Sequence, residues 1–232
     1  MSEAFDKVLG IKKLALFPLP LVLLPNELLP LHIFEPRYRQ MLEDIALERN
    51  LFGISYFDPQ DTLAEKPMAG TIGCAAEVRE TARMADGRSN ILTIGIIRYQ
   101  LINYVESDAP YFIGEVEFFE DLEEPESELK PLADEVFILF RRVAEAAHKL
   151  SGQQGEVPEI VQAEPQALSF LVTAAFNLEP QVKYQMLELR STLERLKKLR
   201  EILSSAVGKM EKSADIHKIS QTNGHAKTKI DF

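Results

Sequence analysis

The chain has 232 residues, of which 46% are hydrophobic and 27% are charged, so it can bury a full core without disulfides. It carries 26 Lys and Arg against 36 Asp and Glu residues, and the resulting charge of −10 argues against non-specific binding to nucleic acid or to an anionic membrane. Cys74 is the single cysteine, which excludes an intramolecular disulfide and a cysteine-rich metal site.

The first apolar stretch, residues 14–34, is about as long as a membrane-spanning helix. Prolines interrupt it at Pro18, Pro20, Pro25 and Pro30. Because each internal proline removes a helical hydrogen bond, the stretch predicts short extended segments joined by turns. Acidic residues precede it at Glu3 and Asp6 and no small-residue cleavage site follows, so we predict no signal peptide and a cytoplasmic location.

Residues 1–120, with a net charge of −7, predict a β-rich lobe that contains one helix starting at Pro36. Strands are predicted over residues 52–57, 71–83, 89–105 and 111–119. The turn Asp86-Gly87 between two apolar runs indicates a hairpin. Glycines interrupt three of these strands, at Gly73, Gly95 and Gly114. Such glycines mark bulges or corners, which favours a closed or nearly closed barrel.

Helices predominate in residues 121–207, after an acidic boundary near residue 121. Three prolines each predict a helix start: Pro131 for a helix to residues 151–152, Pro165 for one to Asn177, and Pro180 for one to Val207. The long third helix is expected to pack within the chain, or else to form a homodimer, so the chain is a monomer or a homodimer. Residues 208–232 are predicted to be a flexible basic tail.

The sequence contains none of the P-loop, dinucleotide-binding, nucleophile-elbow or His-Glu-x-x-His motifs. Cys74 lies in a small-residue apolar strand, where a buried structural thiol is favoured over a nucleophile. His32 and Glu35 could form a catalytic pair, but packing residues surround them and a structural role is favoured. We therefore predict no catalytic residue, no cofactor and no metal site.

The leucine-rich segments between prolines can be interpreted in two ways. They can form an apolar patch that binds another polypeptide, or they can close one end of the barrel, and the pattern does not favour either. The candidate polypeptide-binding residues are Leu23, Pro25, Leu28, Leu29 and Tyr38.

These same residues carry a family resemblance. The segments that carry it are Leu16-Phe17-Pro18-Leu19-Pro20-x-Val22-Leu23-x-Pro25, Leu29 to Tyr38, Gly70 to Cys74, Arg98 to Leu101, and the helical region from Leu168 to Leu196. Together they resemble the Lon protease N-terminal domain family over about residues 12–207. The positions that define its signature here are Pro18, Pro20, Pro30, His32, Phe34, Glu35, Pro36, Arg37 and Tyr38.

The resemblance implies an α+β fold, with an N-terminal PUA-like β pseudobarrel followed by a C-terminal helical bundle with one long helix. In full-length Lon proteases this domain recruits unfolded or damaged polypeptides for an ATPase and a Ser–Lys peptidase, and no catalytic residue of the family matches a position here. The expected function is a non-catalytic module that binds unfolded or apolar polypeptide segments or a partner protein. The alternative is RNA binding, because PUA-like barrels also occur in RNA-binding proteins, although the charge of −10 argues against it.

Overall fold

The computed structural model describes residues 2–58, 66–150 and 163–223 and has an α+β fold, which confirms the predicted class. In chain order, its elements are α1 (Glu3–Val8), β1 (Lys13–Leu19), β2 (Leu28–Ile33), α2 (Pro36–Ala46), β3 (Leu51–Tyr56), β4 (Ile72–Arg83), β5 (Ser89–Val105), β6 (Phe112–Phe119), α3 (Glu126–Leu150), α4 (Pro165–Ala175), α5 (Pro180–Glu188) and α6 (Thr192–Asn223). The described chain divides into two compact units. The sheet unit contains residues 2–58, 66–123 and 169–192, and the helical unit contains residues 124–150, 163–168 and 193–223.

The six strands form one sheet in the order β2-β5-β4-β3-β1-β6, and β5 also pairs with β6. That second pairing closes five of the strands into a barrel, as the glycine-interrupted strands predicted, and it agrees with a PUA-like fold. Closure depends on β5, whose 17 residues pair with β2 and β4 near its start and with β4 and β6 near its end. A bulge at Gly95, where the register to β4 shifts between Ala75 and Ala76, lies between these two regions.

The other two glycines predicted to interrupt strands have a different role. Gly73 and Gly114 lie in continuous pairing, and each leaves room for a large buried side chain. A Cβ atom at Gly73 would lie 2.5 Å from the hydroxyl of Tyr99, and one at Gly114 would lie 2.6 Å from a methyl group of Leu101. These positions therefore need glycine because side chains pack directly on the backbone.

Residues 169–192 belong to the sheet unit because apolar side chains of their helices pack against the barrel. Phe170 and Leu187 form a buried cluster with Val22 and Leu24, and the Tyr184 hydroxyl accepts a hydrogen bond from the backbone of Ile72 at 3.1 Å. The predicted helical lobe over residues 121–207 is therefore not one body, although its predicted start lies close to the end of the first segment of the sheet unit at residue 123.

The predicted single helix from Pro180 to Val207 is wrong in two respects. The helix is interrupted after Glu188, and a second helix, α6, runs from Thr192 to Asn223. The interruption has a physical reason, since the carbonyl oxygens of Leu187 and Leu189 accept hydrogen bonds from the buried Arg98 instead of continuing the helix. Residues 224–232 of the predicted tail lie outside the described part of the chain.

In the helical unit, α3 begins at Glu126 rather than at the predicted Pro131. The carbonyl oxygen of Pro125 accepts hydrogen bonds from the backbone of Glu128 and Leu129 at 2.9 and 3.2 Å, so the helix is established one turn before Pro131. Its predicted end at residues 151–152 lies outside the described residues. Both long helices bury apolar stripes: Leu132, Val136, Phe140 and Val143 on α3, and Leu196, Leu199, Leu203 and Val207 on α6.

Candidate functional site

Three of the five predicted polypeptide-binding residues lie in the core of the sheet unit. Leu23 is 2% exposed, Pro25 is buried, and Tyr38 is 4% exposed with its ring centroid 4.0 Å from that of Phe17. The interpretation in which the leucine segments close one end of the barrel therefore fits these three residues. No partner can contact them in this conformation. Leu28 is exposed and Leu29 is half-buried, and their binding of polypeptide stays a prediction.

The strand β2 separates Leu28 from Leu29 by the alternation of its side chains. Leu29, Leu31 and Ile33 face the core, whereas Leu28, Pro30 and His32 are exposed on the opposite face. The register with β5 places Leu28 beside Ile94 and Pro30 beside Leu92, and both of these β5 residues are half-buried. We call the exposed surface formed by Leu28, Pro30, His32, Leu92 and Ile94 the β2 face.

Phe34 extends this surface beyond the end of β2. Its side chain is 58% exposed, as is that of Leu28, and its ring lies 6.0 Å from the ring of His32. Within the part of the chain that the structure describes, β2 pairs with β5 alone, so its other edge carries no strand. Pro30 fits such an edge strand, because proline lacks the donor that a central strand requires.

The charged signature residues around α2 have local roles. Pro36 occupies the first turn of α2, as predicted, but the Glu35 side chain makes no capping hydrogen bond. It instead pairs with Arg37, whose Nη2 lies 2.7 Å from Glu35 Oε2. The Nδ1–H group of His32 donates a hydrogen bond to Asn90 Oδ1 at 2.6 Å, which accounts for its side chain without a catalytic partner. Pro18 lies within β1 beside Ser55, and Pro20 is exposed just after that strand.

Arg98 forms a buried polar centre in the sheet unit. Its side chain is 2% exposed and pairs with Asp121, which is 5% exposed. It also donates to the carbonyl oxygens of Leu187 and Leu189 at 3.0 and 2.5 Å, and its guanidinium lies 4.6 Å from the ring of Phe119. This arrangement joins β5 to the chain segment between α5 and α6.

Two grooves adjoin α2 on opposite sides, and sequence reasoning identified neither. The first has a volume of about 630 Å³ and lies among α2, β1 and β6. In it, the Tyr111 hydroxyl donates to Asp44 Oδ2 at 2.7 Å, and burial together with the negative charges of Asp44 and Glu48 raises the pKa of Tyr111 to about 12. Tyr111 is therefore a neutral hydrogen-bond donor at physiological pH.

The second groove has a volume of about 470 Å³ and lies between α2 and the hairpin of β4 and β5. Arg39 and Arg83 line it, together with the side chains of Leu42, Val78 and Met84. Because these residues come from α2, from β4 and from the turn that follows β4, no local sequence signal brings them together.

The comparison with protein families matches residues 13–205 to the family described as "ATP-dependent protease La (LON) substrate-binding domain". The chain belongs to this family. The match includes the β2 face, the Arg98 centre, the second groove, and the first groove apart from Gly10 and Ile11.

Solved structures and curated relatives agree with this assignment. The Lon N-terminal domain protein from Xanthomonas campestris is 22% identical, with a TM-score of 0.59 over 82% of this chain and 97% of that chain. The N-terminal domain of the Mycobacterium avium complex Lon protease is 18% identical, with a TM-score of 0.61 over 83% of this chain and 98% of that one. These likenesses show the fold.

Among curated proteins, the Lon protease of Halothermothrix orenii is 24% identical over 80% of this chain, and Lon protease 2 of Herpetosiphon aurantiacus is 21% identical over 90%. The chain spans about a quarter of the length of these relatives, namely 24% and 26%. The match therefore covers only one part of these longer relatives.

The environment of Cys74 in this domain does not favour a reactive thiol. The thiol is fully buried, and its burial raises its pKa from 9.0 to about 12, so a thiolate nucleophile does not form at neutral pH.

Over residues 2–58, 66–150 and 163–223, no group of three or more His, Cys, Asp or Glu side chains could hold a metal ion. Within the same described ranges, no helix has the length and apolar character needed to cross a membrane.

The buried thiol leads to a direct test. We expect iodoacetamide at pH 8 to alkylate native Cys74 roughly a thousandfold more slowly than the urea-unfolded chain, because a pKa of about 12 against 9.0 leaves that much less thiolate. The same shift lowers the stability of the fold as pH rises from 9.0 towards 12, because only the unfolded chain then releases the proton. Comparable alkylation rates in the native and unfolded states would contradict the burial.

Proposed function

We propose that this LON substrate-binding domain is a non-catalytic module that binds unfolded or apolar polypeptide segments, or a partner protein with an exposed apolar segment, on its β2 face. The observation that carries the proposal is the exposed apolar surface of an edge strand, with Leu28 and Phe34 each 58% exposed. Leu28, which lies beside half-buried Ile94, and Phe34, which lies beside His32, lose hydration when an apolar segment covers them.

The open edge of β2 adds a second source of affinity. An extended segment that lies alongside β2 can pair with the backbone groups of this open edge, except at Pro30, which has no N–H to donate, while its side chains contact the β2 face. Such main-chain pairing does not depend on sequence, which suits a module that binds many unfolded chains. The family membership supports a polypeptide as the ligand, and the cytoplasmic location and the oligomeric state stay predictions of the sequence.

The alternative of RNA binding gains no support from this surface. The β2 face is apolar, and its single histidine, His32, is hydrogen-bonded to Asn90. Residues 1–120 carry a net charge of −7. RNA binding needs cationic groups along a phosphate backbone, and such binding weakens steeply with salt. The β2 face instead predicts binding that is largely independent of ionic strength.

A single substitution tests the proposal. We expect Leu28→Glu to weaken binding of a reduced, carboxymethylated model protein by about tenfold, since it removes apolar contact and adds an unpaired charge at the interface. Fluorescence anisotropy with the labelled unfolded protein measures the dissociation constant.

Leu47→Glu is the matched control, because Leu47 is 88% exposed at the end of α2 and lies outside the β2 face. Thermal unfolding followed by circular dichroism verifies that both variants keep the fold. Equal affinity of the wild type and Leu28→Glu for the unfolded protein, or no binding by either, would count against the proposal.

A further inference from the structure

The groove between α2 and the β4–β5 hairpin contains two arginines on facing elements. Arg39 lies on α2, and Arg83 is the last residue of β4, paired with Ser89. The guanidinium of Arg39 lies against the turn of the hairpin, since a Cβ atom at Gly87 would overlap its Nη2 and would lie 2.8 Å from its Cζ. Gly87 has φ +82, so the turn needs glycine for its backbone conformation as well. We call this site the arginine groove.

Neither arginine of this groove has a carboxylate partner among the described residues, whereas its neighbours do. Arg37 pairs with Glu35, Arg79 with Glu77 and Arg88 with Asp86, at 2.7, 3.1 and 2.6 Å. Glu43 is the one acidic side chain in the lining of the groove. Two guanidiniums against one carboxylate make this a locally positive site in a lobe whose residues 1–120 sum to −7.

The rest of the lining is apolar. Leu42 and Val78 pack against the core and stay half-exposed, and Met84 is 38% exposed. The groove therefore offers guanidiniums, which bind carboxylates with two parallel hydrogen bonds, next to a surface for an aliphatic group. An acidic side chain followed by an aliphatic one matches both parts.

We propose that the arginine groove binds the Asp or Glu side chain of an extended polypeptide segment, with a neighbouring aliphatic side chain packed on Leu42 and Met84. The inference rests on the proposed function, because it names the chemistry of the segments that the module holds. It gives the module a preference that the β2 face lacks. Segments that are acidic and apolar bind through Arg39 and Arg83, although the protein as a whole is acidic.

The test compares two labelled peptides of 12 residues that are blocked at both ends and differ only in Glu-Leu against Gln-Leu pairs. We expect the wild type to bind the Glu peptide about tenfold more tightly at low salt, and this preference to shrink as salt rises. In the double variant Arg39→Gln/Arg83→Gln, we expect the affinity for the Gln peptide to equal that of the wild type. The affinity for the Glu peptide falls to the same value. Arg79→Gln is the control, since Arg79 lies on β4 but outside the lining of the groove.

Four results would overturn the inference. They are equal affinity of the wild type for the two peptides, a preference that persists in the double variant, binding that appears only when the C-terminus is unblocked, and displacement of the peptide by inorganic phosphate at concentrations where acetate has no effect. Binding of unfolded protein by the wild type but not by Leu28→Glu, without any preference for the Glu peptide, would reject this inference and leave the proposed function standing. Binding of neither peptide nor unfolded protein would reject both.

Discussion

Replacement of Arg98 by methionine is expected to lower the free energy of unfolding by about 3–5 kcal/mol, the range found when one partner of a buried ion pair is removed. The Arg98 side chain is 2% exposed and its partner Asp121 is 5% exposed, so the substitution removes the cation of a buried ion pair. It also removes the donors to the carbonyl oxygens of Leu187 and Leu189. Urea unfolding followed by circular dichroism measures the loss.

Arg190→Met is the matched control for Arg98→Met. The guanidinium of Arg190 lies 5.1 Å from the ring of Phe119, the same ring that Arg98 covers, but Arg190 is exposed. We expect the control to cost less than about 1 kcal/mol. The variant Arg98→Met/Asp121→Leu should recover part of the loss, because an apolar pair leaves no buried charge. A cost for Arg98→Met no larger than that of the control would contradict the role of the ion pair.

Arg98 also explains why the helices were harder to predict than the strands. The hairpin at Asp86-Gly87 and the start of α2 at Pro36 follow from local chemistry, and both are present. The interruption after Glu188 is hidden by an apolar stripe that continues at helical spacing from Met186 to Leu193, although Ser191 and Glu194 have the spacing of a capping box at a helix start. The helix ends there because the buried Arg98 of β5 donates hydrogen bonds to the carbonyl oxygens of Leu187 and Leu189. These contacts join residues about 90 positions apart.

Prediction of the candidate site was limited by a related problem, because the exposure of a strand residue depends on how the strand is paired. Hydrophobicity and prolines mark residues 23–30 as a surface candidate or a barrel cap, and the structure contains both, separated by strand alternation. Leu28 and Leu29 are adjacent and identical in chemistry, yet one is 58% exposed and the other faces the core. Register decides between them, and register depends on the pairing of β2 with β5, which no local pattern specifies.

Gly95 fixes that register, and its substitution by alanine is expected to lower the free energy of unfolding by about 2–3 kcal/mol through overpacking. A Cβ atom at Gly95 would overlap the carbonyl oxygen of Leu24 and would lie 3.1 Å from Cys74 Sγ. The chain at Leu24 has little freedom to move away, because Asn26 donates to the Gly95 carbonyl at 2.8 Å and Gly95 donates to that of Glu27 at 2.9 Å.

The Gly95→Ala prediction connects stability to function, since the residues that must shift directly precede Leu28 of the β2 face. We therefore expect weaker binding of the reduced, carboxymethylated protein along with the lower stability. Gly208→Ala is the control of opposite sign: a Cβ atom there meets no atom within 4 Å, and alanine in helix α6 raises stability by at most about 1 kcal/mol. If Gly95→Ala unfolds at the same urea concentration as the wild type and binds equally well, the close contact between β5 and Leu24 does not position the β2 face.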